Sequence, residues 1–324
     1  IKSLKMWYPV VDLTLIETIA CNGSHLEELD LIMFSSAVDP NTLLRGIVNS
    51  CKQLRTIALM SDDTIMIRVT DAVIIALAKS CLLLERVDFS FCSLTDSSVM
   101  ALAENCNRLK CLSVNGGMIT YRSLLALSEY GLPLESLSFP VVPIPEAQLP
   151  RCAHALSRIR TTSTPPALPA LRLMTNLTTA NYRLYRHPAP AEAVYAELLA
   201  AQCSTLKSIY LYDRISGALL AALVQQNKNL ANLSVSCPVC DEDLALLASS
   251  AKHIKQLFIM EECVNVTDAG LLALSEHCWQ LQLLYIRNCP RVTEAGLARV
   301  IEGCHQLTSL EVSAACMSQE TTLM

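Results

Sequence analysis

Four short constellations carry residue types that do chemistry. Cys237-Pro-Val-Cys240 has the spacing of half a zinc site or a dithiol redox pair. Asp241-Glu-Asp243 is a carboxylate cluster of the kind that holds a divalent cation. His277-Cys278 and Cys304-His305 place a thiol beside an imidazole, the pairing of a cysteine nucleophile and its base. Each falls short on its own terms. The C-x-x-C has no second pair and no His-x-x-x-His to complete four ligands. The acids stand directly before Leu244-Ala-Leu-Leu-Ala, where a helix N-terminus prefers negative charge. The two His/Cys pairs lie far apart, and neither has a third group to orient a base. No phosphate loop, G-x-S-x-G or H-E-x-x-H is present. The chain is expected to be non-catalytic, with no metal and no cofactor.

Composition narrows the remaining classes. Of 324 residues, 52% are apolar and 17% charged, which excludes a disordered chain. The longest uncharged run, Ile215 to Asn227, is too short to cross a bilayer. A net charge of −5 argues against a general nucleic-acid binder. The 15 cysteines read as reduced thiols, and the expected compartment is intracellular, cytoplasmic with the nucleus as an alternative.

The elements that would position these residues come from a repeat. The pattern L-x-x-L-x-L recurs thirteen times, its first positions 21 to 30 residues apart. Clear copies start at Leu26, Leu54, Leu84, Leu109, Leu134, Leu206, Leu230, Ile254, Leu281 and Leu307, and weaker ones at Ile1, Leu156 and Leu177. Between them stand near-copies such as Val69-Thr-Asp-Ala-Val, Leu94-Thr-Asp-Ser-Ser, Val266-Thr-Asp-Ala-Gly and Val292-Thr-Glu-Ala-Gly. A Thr before an apolar run of helical spacing is an N-cap. Each unit is therefore a short strand, a turn and a helix of about ten residues. One unit cannot bury its own apolar face, so the units must stack. Cys51, Cys81, Cys106, Cys203, Cys278 and Cys304 each precede a first strand position by three residues. Cys92 and Cys289 follow one by eight, with Cys237, Cys263 and Cys316 within a residue of that place. Eleven of the fifteen thus mark corners of the repeat, where a small buried hydrophobe fits.

These C-x-x-L-x-x-L-x-L runs, with the [VLI]-T-[DE]-x-x-[VL] segments, resemble the cysteine-containing leucine-rich repeats found in F-box substrate receptors of SCF-type ubiquitin ligases. The resemblance implies an α/β leucine-rich-repeat solenoid of about 13 repeats, curved, with parallel strands on the concave face and helices on the convex face. It implies one repeat domain over residues 1–324, with an irregular Pro/Arg-rich stretch at 140–196. It also implies a substrate-recognition function, with an adaptor bound through an F-box that would have to precede Ile1. A structural scaffold subunit of a large cytoskeletal or axonemal assembly is the alternative reading.

Strand side chains alternate, so the second, fourth and sixth residues after each first position should share the open sheet face. Two groups there fit a protein partner. Phe258, Met260, Leu283 and Tyr285 form one, with Arg287 on the same face. Arg158, Arg160, Arg183, Tyr210 and Tyr212, read as coming from three consecutive strands, form the other. Residues 147–191 contain six Arg and no Asp, Glu or Lys, which suits an acidic or phosphorylated segment or a small anion.

Overall fold

The computed structural model describes the chain apart from residues 8–9, 33–34, 37–38, 61–68, 90–91, 93, 115–117, 140–141, 163–167, 183–190, 201–204, 213–214, 237–238, 261–263, 288 and 313–324. It divides into two compact units, Ile1–Arg160 with Pro165–Met174, and Thr161–Thr164 with Thr175–Met324.

The first unit carries strands β1 (Ser3–Trp7), β2 (Val10–Val11), β3 (Glu28–Ile32), β4 (Ser35–Ser36), β5 (Thr56–Met60), β6 (Arg86–Asp88), β7 (Cys111–Ser113) and β8 (Ser136–Ser138). Its helices are α1 (Leu13–Asn22), α2 (Pro40–Ser50), α3 (Asp71–Ser80), α4 (Asp96–Asn105), α5 (Tyr121–Glu129), α6 (Leu149–Arg158) and α7 (Leu168–Leu171). The second unit carries β9 (Thr161–Thr162), β10 (Thr179–Tyr182), β11 (Ser208–Leu211), β12 (Asn232–Val235), β13 (Gln256–Ile259), β14 (Leu283–Ile286) and β15 (Ser309–Val312). With them run α8 (Ala191–Ala200), α9 (Gly217–Gln226), α10 (Asp241–Ser250), α11 (Asp268–His277) and α12 (Glu294–Gly303). In the first unit β1, β3, β5, β6, β7 and β8 pair in parallel and in chain order, and in the second unit β9 to β15 do the same. β2 and β4 form a small separate pair. The chain is an α/β repeat solenoid of parallel strands alternating with helices.

The alternation of the repeat is visible in burial. Leu29 and Leu31, Ile57 and Leu59, Val87 and Phe89, Leu233 and Val235, and Leu284 and Ile286 face the helices and are buried. First positions such as Leu54, Leu84, Leu109 and Leu230 are sealed as well.

The corners are built as the cysteine spacing requires. Cys51, Cys81, Cys106, Cys278 and Cys304 are helix C-caps, each donating its backbone N–H to the last turn. Three of these thiols face carbonyls of the preceding repeat: Cys81 Sγ donates to Cys51 O at 3.3 Å, Cys106 Sγ to Ala78 O at 3.7 Å and Cys304 Sγ to Leu274 O at 3.9 Å. A wet polar group would be stranded there, whereas a thiol is small, apolar and still a weak donor. Cys203, Cys237, Cys263 and Cys316 lie outside the described residues.

The Thr-Asp segments do more than cap their own helices. Thr95, Thr120, Thr267 and Thr293 each accept from the N–H two residues on, as N-caps. An Asp at the first position of a helix reaches across to the next repeat. Asp71 accepts from Thr95 N and Oγ1 at 2.9 and 2.7 Å, and from Ser98 Oγ. Asp96 does the same with Thr120 N, Thr120 Oγ1 and Ser123 Oγ at 2.8, 2.6 and 2.5 Å. In the second unit Asp241 clasps Thr267 and Gly270 N, and Asp268 clasps Thr293. A Cβ on Gly270 would stand 2.6 Å from Asp241 Oδ1, which explains a glycine inside that first helical turn.

One copy of the repeat is registered differently from the sequence reading. Thr161 pairs with Thr179, and Arg160 N donates to Glu135 O in the place that Glu135 N takes on Lys110 O one repeat earlier. Ile159 is therefore the first position of that copy, and Leu156 belongs to α6.

Candidate interaction face

The second unit presents a sheet face of unusual composition. Hydrogen-bond register places Asn181, Tyr210, Ser234, Phe258, Tyr285 and Glu311 in one row across β10 to β15. Two residues on, Ser236 N donates to Leu211 O, Met260 N to Val235 O and Arg287 N to Ile259 O. These bonds align Tyr212, Ser236, Met260 and Arg287 in a second row. Tyr210, Tyr212, Phe258, Met260 and Tyr285 are half-buried, and Arg287 is exposed. The Phe258 and Tyr285 rings lie 6.2 Å apart at 37°, a tilted aromatic contact between adjacent strands. Among the described residues, Arg287 and Glu311 are the charged members of the two rows.

The first unit offers the opposite. Its corresponding rows hold Lys5, Glu28, Asp30, Arg86 and Asp88 among Ser3, Thr56, Ala58, Ser113, Ser136 and Ser138. The charges pair among themselves, Lys5 with Glu28 at 3.0 Å and with Asp30 at 3.7 Å, and Arg86 with Asp88 at 3.8 Å. Cys111 is half-buried on this face, and burial pushes its thiol up, away from the reactive thiolate.

The arginine group expected from the sequence is not assembled on a face. Arg158 is the last residue of α6 and is exposed there. Arg160 occupies the residue after the first position and lies 3.7 Å from Glu135. Neither is on the open sheet face, because the register of that copy is three residues later than its leucine spacing suggests. Arg183 lies outside the described residues. Tyr210 and Tyr212 stand with the Phe258 group in the second unit.

Arg160 closes a feature that the sequence reading missed. The residues one after each first position in the first unit are Lys2, Glu27, Arg55, Glu85, Lys110, Glu135 and Arg160, alternating in sign throughout. Lys2 meets Glu27 at 2.8 Å, Arg55 meets Glu27 at 3.8 Å and Glu85 at 2.7 Å, and Lys110 meets Glu85 at 2.7 Å. Hydrogen bonds from Lys110 and Arg55 hold the Glu85 carboxyl below the usual carboxylate range. Exposed pairs of this kind are individually weak. Glu85→Gln is expected to cost below about 1 kcal/mol in thermal unfolding at low salt, a difference that shrinks as salt is raised. A cost that salt leaves unchanged would mean that packing, not charge, explains Glu85.

The short motifs resolve into structure. Asp241 and Asp243 open α10, where Cys240 N donates to Asp243 Oδ2 at 3.2 Å. Cys237 lies outside the described residues. Cys278 and Cys304 are the buried corners already described. Among the described residues, no group of three His, Cys, Asp or Glu side chains is placed to hold a metal ion. Among them, no helix is long and apolar enough to cross a membrane.

No family model matches the chain, and no curated protein matches it. Among solved structures it is similar to yeast Rad7, solved as a complex with Elc1, at 15% identity with a TM-score of 0.55, covering 96% of this chain and 85% of that one. An internalin, InlF of Listeria monocytogenes str. 4b F2365, shares 15% identity with a TM-score of 0.42, over 97% of this chain and 87% of that one. The likeness to the Rad7 structure is one of fold, the strand-turn-helix solenoid that the repeat period and the burial pattern also describe.

Proposed function

We propose that the chain is a non-catalytic protein-binding module that works through the open sheet face of the second unit. The observation that carries this reading is the row Tyr210, Phe258 and Tyr285 with Tyr212, Met260 and Arg287 beside it. Aromatic, Met and Arg side chains on an open sheet are the types enriched at binding hot spots. The finer reading is the substrate-recognition repeat domain of an F-box-type ubiquitin ligase subunit. It is supported by the cysteine-bearing repeats and by likeness to Rad7, which was solved with a protein partner. The alternative, a structural scaffold subunit with no ubiquitin role, uses the same face.

The test is proximity labelling in cells with the full protein and with a Phe258→Asp, Tyr285→Asp variant. Both side chains lie on the open sheet face outside the buried core, so the unfolding temperature should change little, while a subset of labelled proteins should fall by about tenfold or more. Labelling of SCF-type ligase subunits that survives the substitutions would favour the ligase reading, and their absence from both samples the scaffold. A labelled set indifferent to both substitutions would overturn the assignment of this face.

A further inference from the structure

Ser234 and Ser236 interrupt the aromatic rows. They lie on one face of β12 and its extension, each 8% exposed, between taller neighbours. Tyr210 and Tyr212 stand on one side of them, and Phe258 and Met260 on the other. Neither serine hydroxyl has a hydrogen-bond partner among the described residues. Nor are these oxygens sealed: among the described residues the fully buried side-chain N and O atoms without partners are Asp30 Oδ1, Gln226 Oε1 and Asn227 Oδ1. The result is a notch one strand wide with two unused polar groups on its floor.

Its size and chemistry specify an occupant. The walls are two strand steps apart, about 9.6 Å between backbones. A flat ring between them needs about 3.5 Å on each side, so the notch admits one ring and not two. A floor of free hydroxyls favours a ring with a polar tip over a plain one, because burying the hydroxyls unmatched costs free energy. Along the second row, Arg287 follows Ser236 by two further strand steps, again about 9.6 Å. No ion partner stands beside it among the described residues. An extended peptide advances about 3.3 Å per residue, so its third residue beyond the notch reaches Arg287. Glu311, next to Tyr285 in the first row, repels a carboxylate placed there and keeps it in the row of Arg287.

We propose that this notch anchors the partner bound by the face, taking a Tyr or Trp side chain of an extended peptide whose Asp or Glu, three residues away, pairs with Arg287. The inference rests on the protein-binding reading above and adds the sequence that the partner must carry.

The experiment selects a display library of random linear peptides on the full chain. Synthetic copies of the selected peptides are then measured by fluorescence anisotropy. The selected pool should be enriched in Tyr or Trp with an acid three residues away. Filling the notch with Ser234→Leu should weaken binding by about thirtyfold or more. Ser234→Ala with Ser236→Ala leaves the space open and should weaken a Tyr peptide by about fivefold while sparing its Phe analogue. Changing the peptide acid to Lys should weaken binding to the native chain by about tenfold and improve it on Arg287→Glu. A pool without the motif, lost on Tyr285→Ala but indifferent to Ser234→Leu, would overturn the notch and leave the face standing. A pool indifferent to the Ser234, Ser236 and Arg287 substitutions, or no peptide that tells the native chain from Ser234→Leu, would overturn the anchor. Indifference to Tyr285→Ala as well would overturn the face with it.

Discussion

Asp96→Ala is expected to cost about 3 kcal/mol of folding free energy, a large effect for a partly exposed side chain. The carboxylate satisfies the N–H and hydroxyl of Thr120, the N-cap of α5, together with the Ser123 hydroxyl, which is buried in that helix. Removing it leaves three donors of the next repeat without their acceptor, and hydrogen bonds to a charged group are worth more than neutral ones. Urea unfolding of the native chain and of Asp96→Ala and Asp96→Asn checks this. The amide should retain part of the stabilisation, and a loss below about 1 kcal/mol for alanine would show that the clasp is incidental to stability.

The same clasps make the fold sensitive to acid. Burial alone would raise the Asp71 and Asp96 carboxyls, but hydrogen bonds from Ser98 and Thr95, and from Ser123 and Thr120, outweigh it and hold both below the usual carboxylate range. Their folded pKa values are depressed, so the stability they contribute is complete above about pH 4 and is lost as pH falls through the folded values. The corner thiols work in the other direction. Burial pushes Cys92, Cys106 and Cys278 up to about 12 and Cys81 and Cys304 to about 11. A raised pKa contributes stability that is complete below the unfolded value, about 8.5, and is lost as pH rises toward the folded one.

The second large effect follows from those thiols. In a time course with N-ethylmaleimide near pH 8, read by mass spectrometry, Cys21 is expected to react promptly because it is exposed. Cys92, Cys106 and Cys278 should lag by about a thousandfold or more, since burial both holds their thiols protonated and shields them from the reagent. In denaturant the difference should vanish. Modification of a corner cysteine at the rate of Cys21 in the native chain would show that the corners open freely.

Most of the fold could be read from leucine spacing because burial of alternate strand residues leaves little freedom. Leu29 and Leu31 or Leu284 and Ile286 have no other place to go. The exception is instructive. Leu156-x-x-Ile159 fits the strand template, yet three residues is also the spacing of two neighbours on one helix face. Here the helix claims Leu156, Ile159 becomes the first strand position, and Arg158 and Arg160 move off the face that they were expected to share. Phe258 and Tyr285 fall in register on adjacent strands because their copies have unambiguous flanks. The serines of the notch gave no signal of their own, since a small polar residue on a strand matters only through what stands on either side of it. Nor did the Thr-Asp motif announce that its carboxylate reaches into the following repeat, which becomes visible only once the helices are laid side by side.

The alternating charges that end at Arg160 have a consequence for how this chain can grow or shrink. Sign alternation is a parity rule. Removing the single repeat that carries Glu85 would set Arg55 against Lys110, two like charges side by side, while removing two successive repeats would restore every opposite pair. Along this edge the first unit counts its repeats in twos.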